Sequence, residues 1–362
     1  MKAVVKVGTS SITRDDGHLD DAALDKLADE VAGARAAGHQ VVLVCSGAIT
    51  AGLPALALDG RPADIGTLQA VAAVGQPRLM ARIAALLGAR DLVAGQVLLT
   101  PYDFGQRSQY LHARQTLARL LELGVVPVVN ENDTVADDEI RYGDNDRLAA
   151  LVSHLVGAEV LVLLTDTHGL FTADPRLDDQ ASLIEEIVEV DAALEAVAGG
   201  TGTDRGSGGM ASKLAAAKIA AWSGVRVVIA AADVPGVVAA AIDGTTPVGT
   251  VVRPRGTRLS SRKLWIAFAR HPAGRIVVDA GARRALANDH RSLLPAGVRA
   301  VEGDFDADDA VEVVTDDGVV CAKGLVRYDS ATLRTIAGRR TTDLPAGAAP
   351  EVIHRDDLVV LA

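Results

Sequence analysis

Six short stretches in the first 253 residues are nearly continuous apolar runs: 3–7, 40–45, 92–99, 125–129, 160–164 and 226–230. A strand with one wet face alternates apolar and polar residues, whereas unbroken runs imply strands covered on both faces. Between the runs, apolar residues recur at helical spacing near 20–37, 68–87, 106–122, 147–156 and 211–222. Strands alternating with helices predict an α/β fold, a mostly parallel sheet sandwiched by helices. Ligands of such sheets bind beyond the C-terminal ends of the strands. The polar and glycine-rich segments of this chain follow strands directly.

The pattern changes around Val251-Val252-Arg253-Pro254-Arg255-Gly256. Beyond Pro272 the segments become short and β-rich, with turns at Pro295-Ala296-Gly297 and Asp316-Asp317-Gly318 and helical spacing only near 281–288 and 330–337. We therefore expect a large domain over residues 1–253, a linker over 254–271 and a small β-rich, barrel-like domain over 272–362. At 362 residues the chain is long enough for two cores. Only 3% of residues are aromatic, so those cores must be built from Ala, Val, Leu and Ile. Cys45 and Cys321 suggest no disulfide framework, and the N-terminus shows neither a basic leader nor a long apolar run. Both features fit a cytoplasmic protein. The net charge of −11 disfavours nucleic acid as a main partner, and an anionic substrate must be drawn by local positive groups.

The densest chemical signal is Gly199-Gly200-Thr201-Gly202-Thr203-Asp204-Arg205-Gly206-Ser207-Gly208-Gly209, which runs into a helical pattern carrying Met210, Ala211, Ser212 and Lys213. Six of those eleven loop residues are glycine. They cost entropy but let backbone N–H groups approach a ligand, and the helix N-terminus that follows attracts anions. Lys213, in the first turn, is badly placed with respect to the helix dipole, a conflict that a bound phosphate removes. The loop reads as a phosphate cradle, with a surface linker as the plain alternative. It is not a Walker loop, because no Gly-Lys pair occurs in the chain. It also lies too far from the first strand to be a dinucleotide fingerprint.

Other candidates lie at strand ends. Lys6 sits between valines, which is costly in a buried strand unless its ammonium reaches a partner or ligand; otherwise the strand is an edge and the lysine reaches water. Ser46-Gly47 lacks the glycines of a nucleophile elbow, and suits either hydrogen bonding to a carboxylate or phosphate or an ordinary polar turn. Asn130-Glu131-Asn132-Asp133 and Gly143-Asp144-Asn145-Asp146 supply carboxylates for an ammonium and amides for a carboxylate. They read equally as Asx-rich loops with a helix cap at Asp144 or Asn145. Their spacing is not that of an EF-hand, and no metal ligand set is identified. Thr165-Asp166 closes the fifth run beside a turn. Two lysines, a glycine loop and an amide-rich acidic pocket together suggest phosphoryl transfer, which requires mainly positioning and charge neutralisation.

The ordered set Val5-Lys6-Val7-Gly8-Thr9-Ser10, Ser46-Gly47-Ala48-Ile49, Asn130-Glu131-Asn132-Asp133, Gly143-Asp144-Asn145-Asp146, Leu164-Thr165-Asp166 and Gly206 to Lys213 resembles the motifs of glutamate 5-kinases, in the amino-acid kinase superfamily. Pro272-Ala273-Gly274, Ser292 to Val298 and Gly324-Leu325-Val326 are similar to the PUA domain that many bacterial members carry. The resemblance implies the amino-acid kinase fold with a PUA-like barrel, and ATP-dependent phosphorylation of the L-glutamate side-chain carboxylate to L-glutamyl 5-phosphate, in proline biosynthesis. It assigns Lys6 and Lys213 to the transferring phosphoryl group and Asp146 to orienting them. Ser46, Asp133 and Asn145 would hold glutamate. Lys6, Thr165, Asp166, Ser207, Gly208, Gly209, Met210, Ala211, Ser212 and Lys213 would contact ATP. The resemblance further implies Mg2+ riding on the ATP phosphates, inhibition by proline, and a homo-oligomer. A sister aspartate or acetylglutamate kinase, and an RNA-binding PUA protein, are the alternatives. From Arg275 onward 11 Lys/Arg face 15 Asp/Glu, a balance unfavourable to a phosphate backbone.

Overall fold

The computed structural model describes the chain apart from residues 15–17, 136–144, 174, 176–177, 192–193, 196–208, 257, 346 and 362. It divides into two units, Met1–Arg258 and Leu259–Ala362. The expected linker is shared between them. Arg255 belongs to the first unit, where its N–H donates to the Ala221 carbonyl at 2.9 Å and its guanidinium lies over Trp222. A short helix, Ser261–Leu264, and a π-type turn, Trp265–Ala269, belong to the second.

The first unit is built on β1 (Lys2–Val7), β2 (Gln40–Cys45), β3 (Ala94–Leu99), β4 (Val126–Glu131), β5 (Val160–Thr165), β6 (Glu186–Ile187), β7 (Arg226–Ala231) and β8 (Thr250–Val252). They form one sheet in the order β3-β4-β2-β1-β5-β7-β8-β6. All pairs are parallel except β7–β8. The four central strands carry the continuous apolar runs and are buried on both faces. Strand β3 stands at the edge and is only partly buried.

The helices are α1 (Asp21–Ala36), α2 (Ala48–Gly52), α3 (Ile65–Gly88), α4 (Pro101–Gly105), α5 (Arg107–Glu122), α6 (Asn145–Val156), α7 (Met210–Trp222) and α8 (Val237–Asp243). Asp20 caps α1 by accepting from the N–H groups of Ala22 and Ala23, and Asp64 caps α3 through Thr67. On one side of the sheet, α1, α3 and α8 share a core with Ala3, Val5, Val7, Leu43, Cys45, Val162 and Leu164. Successive strand residues point to opposite faces, so Val4 and Lys6 of β1 turn to the other side. That side is covered by α6, packed against α7. The period of two in β1 therefore aims its lysine at α6. Helix α3 is, among the described residues, the one long and apolar enough to cross a membrane, and it contributes Leu79, Ile83, Leu86 and Leu87 to this core.

Helices α2 and α3 cross with no room for side chains between them. A Cβ on Gly75 would lie 1.7 Å from the Ala48 carbonyl oxygen, and one on Gly52 would lie 2.1 Å from that of Val71. Gly47 turns the chain from β2 into α2 at φ 106°, a left-handed conformation that favours glycine. The second unit carries a five-stranded mixed sheet, β10-β9-β11-β12-β13, of Val298–Gly303, Gly274–Val278, Ala310–Thr315, Val320–Leu325 and Leu358–Val360. Its own core gathers Ile276, Val311, Val313, Leu333, Val352 and Ile353.

Two glycine substitutions should separate packing from chain entropy. Gly75→Ala forces the α2–α3 backbones apart and should lower stability by about 1–3 kcal/mol. Gly33→Ala, inside α1 with open space around it, should raise stability by about 0.5–1 kcal/mol. Thermal or urea unfolding of the two variants checks the pair, and a neutral Gly75→Ala contradicts the close crossing.

Candidate active site

Lys6, the penultimate residue of β1, places its Nζ 2.6 Å from Asp146 Oδ1. Lys213, in the first turn of α7, reaches Asp146 Oδ2 at 3.3 Å. Ser212 Oγ donates to the same Oδ2 at 2.8 Å and is itself tied to the Gly209 carbonyl. All three charged groups are buried, Asp146 to 1% exposure, Lys6 to 4% and Lys213 to 6%. Burial alone pushes the Asp146 carboxyl up. The Lys6 and Lys213 ammoniums and the bonds from Lys6 and Ser212 outweigh it, holding that carboxyl below its ordinary value. Asp146 is thus shared by two buried ammoniums beyond the C-terminal end of β1.

A second cluster lies on the neighbouring strand ends. Ser46 follows β2, Asn130 is the penultimate residue of β4, and Asn145 opens α6. Asn145 Nδ2 donates to Ser46 Oγ at 2.9 Å and to Asn130 Oδ1 at 3.1 Å. Asn130 Nδ2 in turn donates to Gln76 Oε1 of α3 at 2.7 Å. Because Asn145 and Asp146 are consecutive, the first turn of α6 joins the amide cluster to the lysine cluster. Asp133 stands two residues beyond β4. Desolvation pushes its carboxyl up to about 6 despite the opposing pull of Arg61.

Thr165, at the end of β5, is buried, and its hydroxyl donates to the exposed Asp166 at 3.1 Å. Both line a cleft of about 460 Å³ with Ser10, Ser11, Asp20 and Lys26. Gly209, Met210, Ala211, Ser212 and Lys213 form the entry to α7. Ser207 and Gly208, with the rest of the glycine loop and with Gly143-Asp144, lie outside the described residues. Lys6, Lys213 and Asp146 thus meet in one cluster, and Ser46 and Asn145 in another, whereas Thr165 and Asp166 bond to each other.

Sequence reading overlooked Gln76 and gave Asn130 no separate part. The available signal was Gly75-Gln76-Pro77, three residues foreign to the middle of an apolar helix. Among the described residues no group of three His, Cys, Asp or Glu side chains is arranged to hold a metal ion.

Residues 1–231 match the amino acid kinase family and residues 274–347 the PUA domain. UMP kinase from Bacillus anthracis shares the fold, with a TM-score of 0.50 at 14% identity over 72% of this chain and 98% of its own. A glutamate 5-kinase from Mycolicibacterium vanbaalenii is 47% identical over 358 residues, covering 99% of this chain and 96% of the relative. One from Nocardia farcinica is 49% identical over 98% of this chain and 96% of its own, and one from Myxococcus xanthus 46% identical over 99% and 96%. Identity at this level runs through both units, and the chain belongs to the amino acid kinase family, among its glutamate 5-kinases.

Proposed function

We propose that the protein transfers the γ-phosphoryl group of ATP to the side-chain carboxylate of L-glutamate, giving L-glutamyl 5-phosphate and ADP as an early cytoplasmic step toward proline. The observation that carries this reading is the pair of buried lysines sharing Asp146. In transfer, a glutamate carboxylate oxygen forms a bond to the γ-phosphorus while the bond from phosphorus to the bridging oxygen of ADP breaks. The negative charge of the transferring group meets the ammoniums of Lys6 and Lys213, both buried, where such charges act most strongly. Asp146 keeps the two ammoniums apart and aimed. No general base is required, because the attacking carboxylate is ionised at neutral pH.

Ser46, Asn145 and Asp133 hold the amino-acid end of glutamate on this reading, with the Asp133 carboxylate turned to the ammonium. Thr165, Asp166 and the α7 entry from Gly209 to Lys213, with Ser207 and Gly208 before it, hold ATP. Mg2+ accompanies the ATP phosphates and neutralises part of their charge. Asp146 is already engaged by two lysines and Ser212, so the residues present suit a metal carried by its nucleotide rather than by a protein cage. Proline, a cyclic five-carbon amino acid with a ring ammonium and the same α-carboxylate, would inhibit by competing for the glutamate end. The PUA unit takes a modulatory part, in regulation or homo-oligomer assembly.

Lys6→Ala and Lys213→Ala should each lower kcat by roughly 10²–10³-fold while changing the glutamate KM only a few-fold. Steady-state kinetics at saturating ATP reads the split, and a near-normal kcat removes that lysine from the transfer step.

Asp133 supplies a pH test. Its carboxyl titrates near 6, so it is charged above that pH and neutral below it, where its attraction for an ammonium is lost. The glutamate side chain keeps an ordinary pKa of about 4.3 and remains a nucleophile above pH 5. Accordingly, kcat/KM for glutamate should fall about five- to sevenfold between pH 6 and pH 5. Asp133→Asn should be weak at all pH values and flat across that range. A wild-type profile that is flat to pH 5 argues against this role.

A chain of residues 1–258 should fold and form glutamyl hydroxamate with ATP, Mg2+, glutamate and hydroxylamine, because every proposed contact precedes Arg258. A folded but inactive product shows that the second unit helps complete the site.

A further inference from the structure

The direction of the amide cluster is set at Asn130, which a backbone N–H meets on one side and Gln76 on the other. The Glu131 N–H can only donate, and it donates to Asn130 Oδ1 at 2.9 Å. The oxygen of Asn130 therefore faces inward, and its Nδ2 is the group that donates to Gln76 Oε1. Asn130 Oδ1 can receive only a donor from Asn145, so the nitrogen of Asn145 turns toward it and toward Ser46 Oγ. Two consequences follow at the open end of the chain. Asn145 Oδ1, on a side chain 3% exposed, is buried with no partner among the described residues. Ser46 Oγ accepts from Asn145, and its own proton is committed to no acceptor among them. A buried amide oxygen without a donor costs on the order of 1–3 kcal/mol until a ligand supplies one.

We infer that Gln76 is a positioning residue for the amino-acid substrate: by accepting from Asn130 Nδ2 it locks the Gln76–Asn130–Asn145–Ser46 chain in one orientation. In that orientation the site offers an acceptor, Asn145 Oδ1, to an ammonium and a donor, the Ser46 hydroxyl, to a carboxylate. The two ends of an α-amino acid are thereby told apart. Were the Asn130 amide reversed, its nitrogen would face both the Glu131 N–H and Asn145. Asn145 would then turn its oxygen inward and its nitrogen to the ligand, repelling the ammonium. The Glu131 N–H opposes this on one side of Asn130, and on the other the reversed amide would set its oxygen against Gln76 Oε1 unless the Gln76 side chain, half-buried on α3, turned as well. The inference rests on the reading that Asn145 and Ser46 hold glutamate.

The test is a double-mutant cycle between Gln76 and Asn145 read on KM. Gln76→Met, which removes the acceptor and keeps the length, should raise the glutamate KM about 3- to 10-fold, the loss of one hydrogen bond's orienting effect. The ATP KM and kcat should stay within about twofold, since neither depends on the amide chain on this argument. Gln76→Glu keeps an acceptor and should stay near wild type. On an Asn145→Ala background Gln76→Met should add nothing, because its effect runs through the missing amide. An unchanged glutamate KM in Gln76→Met, or equal effects on both backgrounds, overturns the inference. If Gln76→Met does not fold by thermal melting, Gln76→Lys against Gln76→Glu carries the test. Lysine offers only donors and must raise the glutamate KM, and equal values for the two overturn the proposal. Should Asn145→Ala itself leave the glutamate KM unchanged, the underlying reading of the site falls and the inference with it. A raised KM in Asn145→Ala with a silent Gln76→Met sinks the present inference alone.

Discussion

Three charges buried together, Lys6, Asp146 and Lys213, set the terms for the first unit. Each would be expensive alone in a site that excludes water, and removing one partner from a buried cluster typically costs about 3–5 kcal/mol. They come from β1, α6 and α7, so the cluster exists only when the sheet and both helices have assembled. In return for that cost the fold holds two ammoniums close together without a nucleotide present. The carboxylate between them holds both in place and aims them beyond the strand ends. That local pair of cations is the feature on which the proposed chemistry depends, and it explains why the acidic chain as a whole need not be attractive to anions.

Much of the scaffold was legible in the sequence because a strand buried on both faces has few disguises. The six apolar runs recur as β1 to β5 and β7, shifted by no more than two residues at either end. The short strands β6 and β8 and helix α8 escaped, being too brief for periodicity to register. Lys6 was legible because a lysine between valines demands an explanation, and Asp146 because it sits in a dense run of Asn and Asp. How the conflict at Lys213 is resolved was not legible in local pattern. The residues alone suggested only a phosphate, and it was the resemblance that pointed to Asp146, whose carboxylate faces that lysine. A partner 67 positions away cannot be read from local pattern. Gln76 was missed for the same reason, since its partner Asn130 lies across the sheet end, 54 positions on.

The two clusters divide the work by physical type. The lysines and Asp146 act through charge, which reaches several ångströms and tolerates small displacements. The amides and Ser46 act through hydrogen-bond direction, which depends on where each proton points. Gly47, Gly52 and Gly75 serve the second kind: the α2–α3 crossing brings the chain after Ser46 and the turn bearing Gln76 onto adjacent rigid backbones. A polarity set by the Glu131 N–H and Gln76 together survives only on such a platform, because a loose helix would let the amides rotate.

The alternation along β1 also makes that strand sensitive to reading frame as well as to residue identity. Val5 and Val7 face the core under α1, and Lys6 faces α6. Loss of Val7, with the loop from Gly8 held in place, would shift the strand by one and turn it over relative to its neighbours. An ammonium would then enter the oily layer and a valine would confront Asp146. Random point substitutions at Ala3 or Val4 can be absorbed by neighbours of similar volume, but no substitution elsewhere compensates an inverted strand. In a lineage diverging by insertion and deletion, the loops after these strands are free to change length, while the six residues of β1 must be inherited as a block.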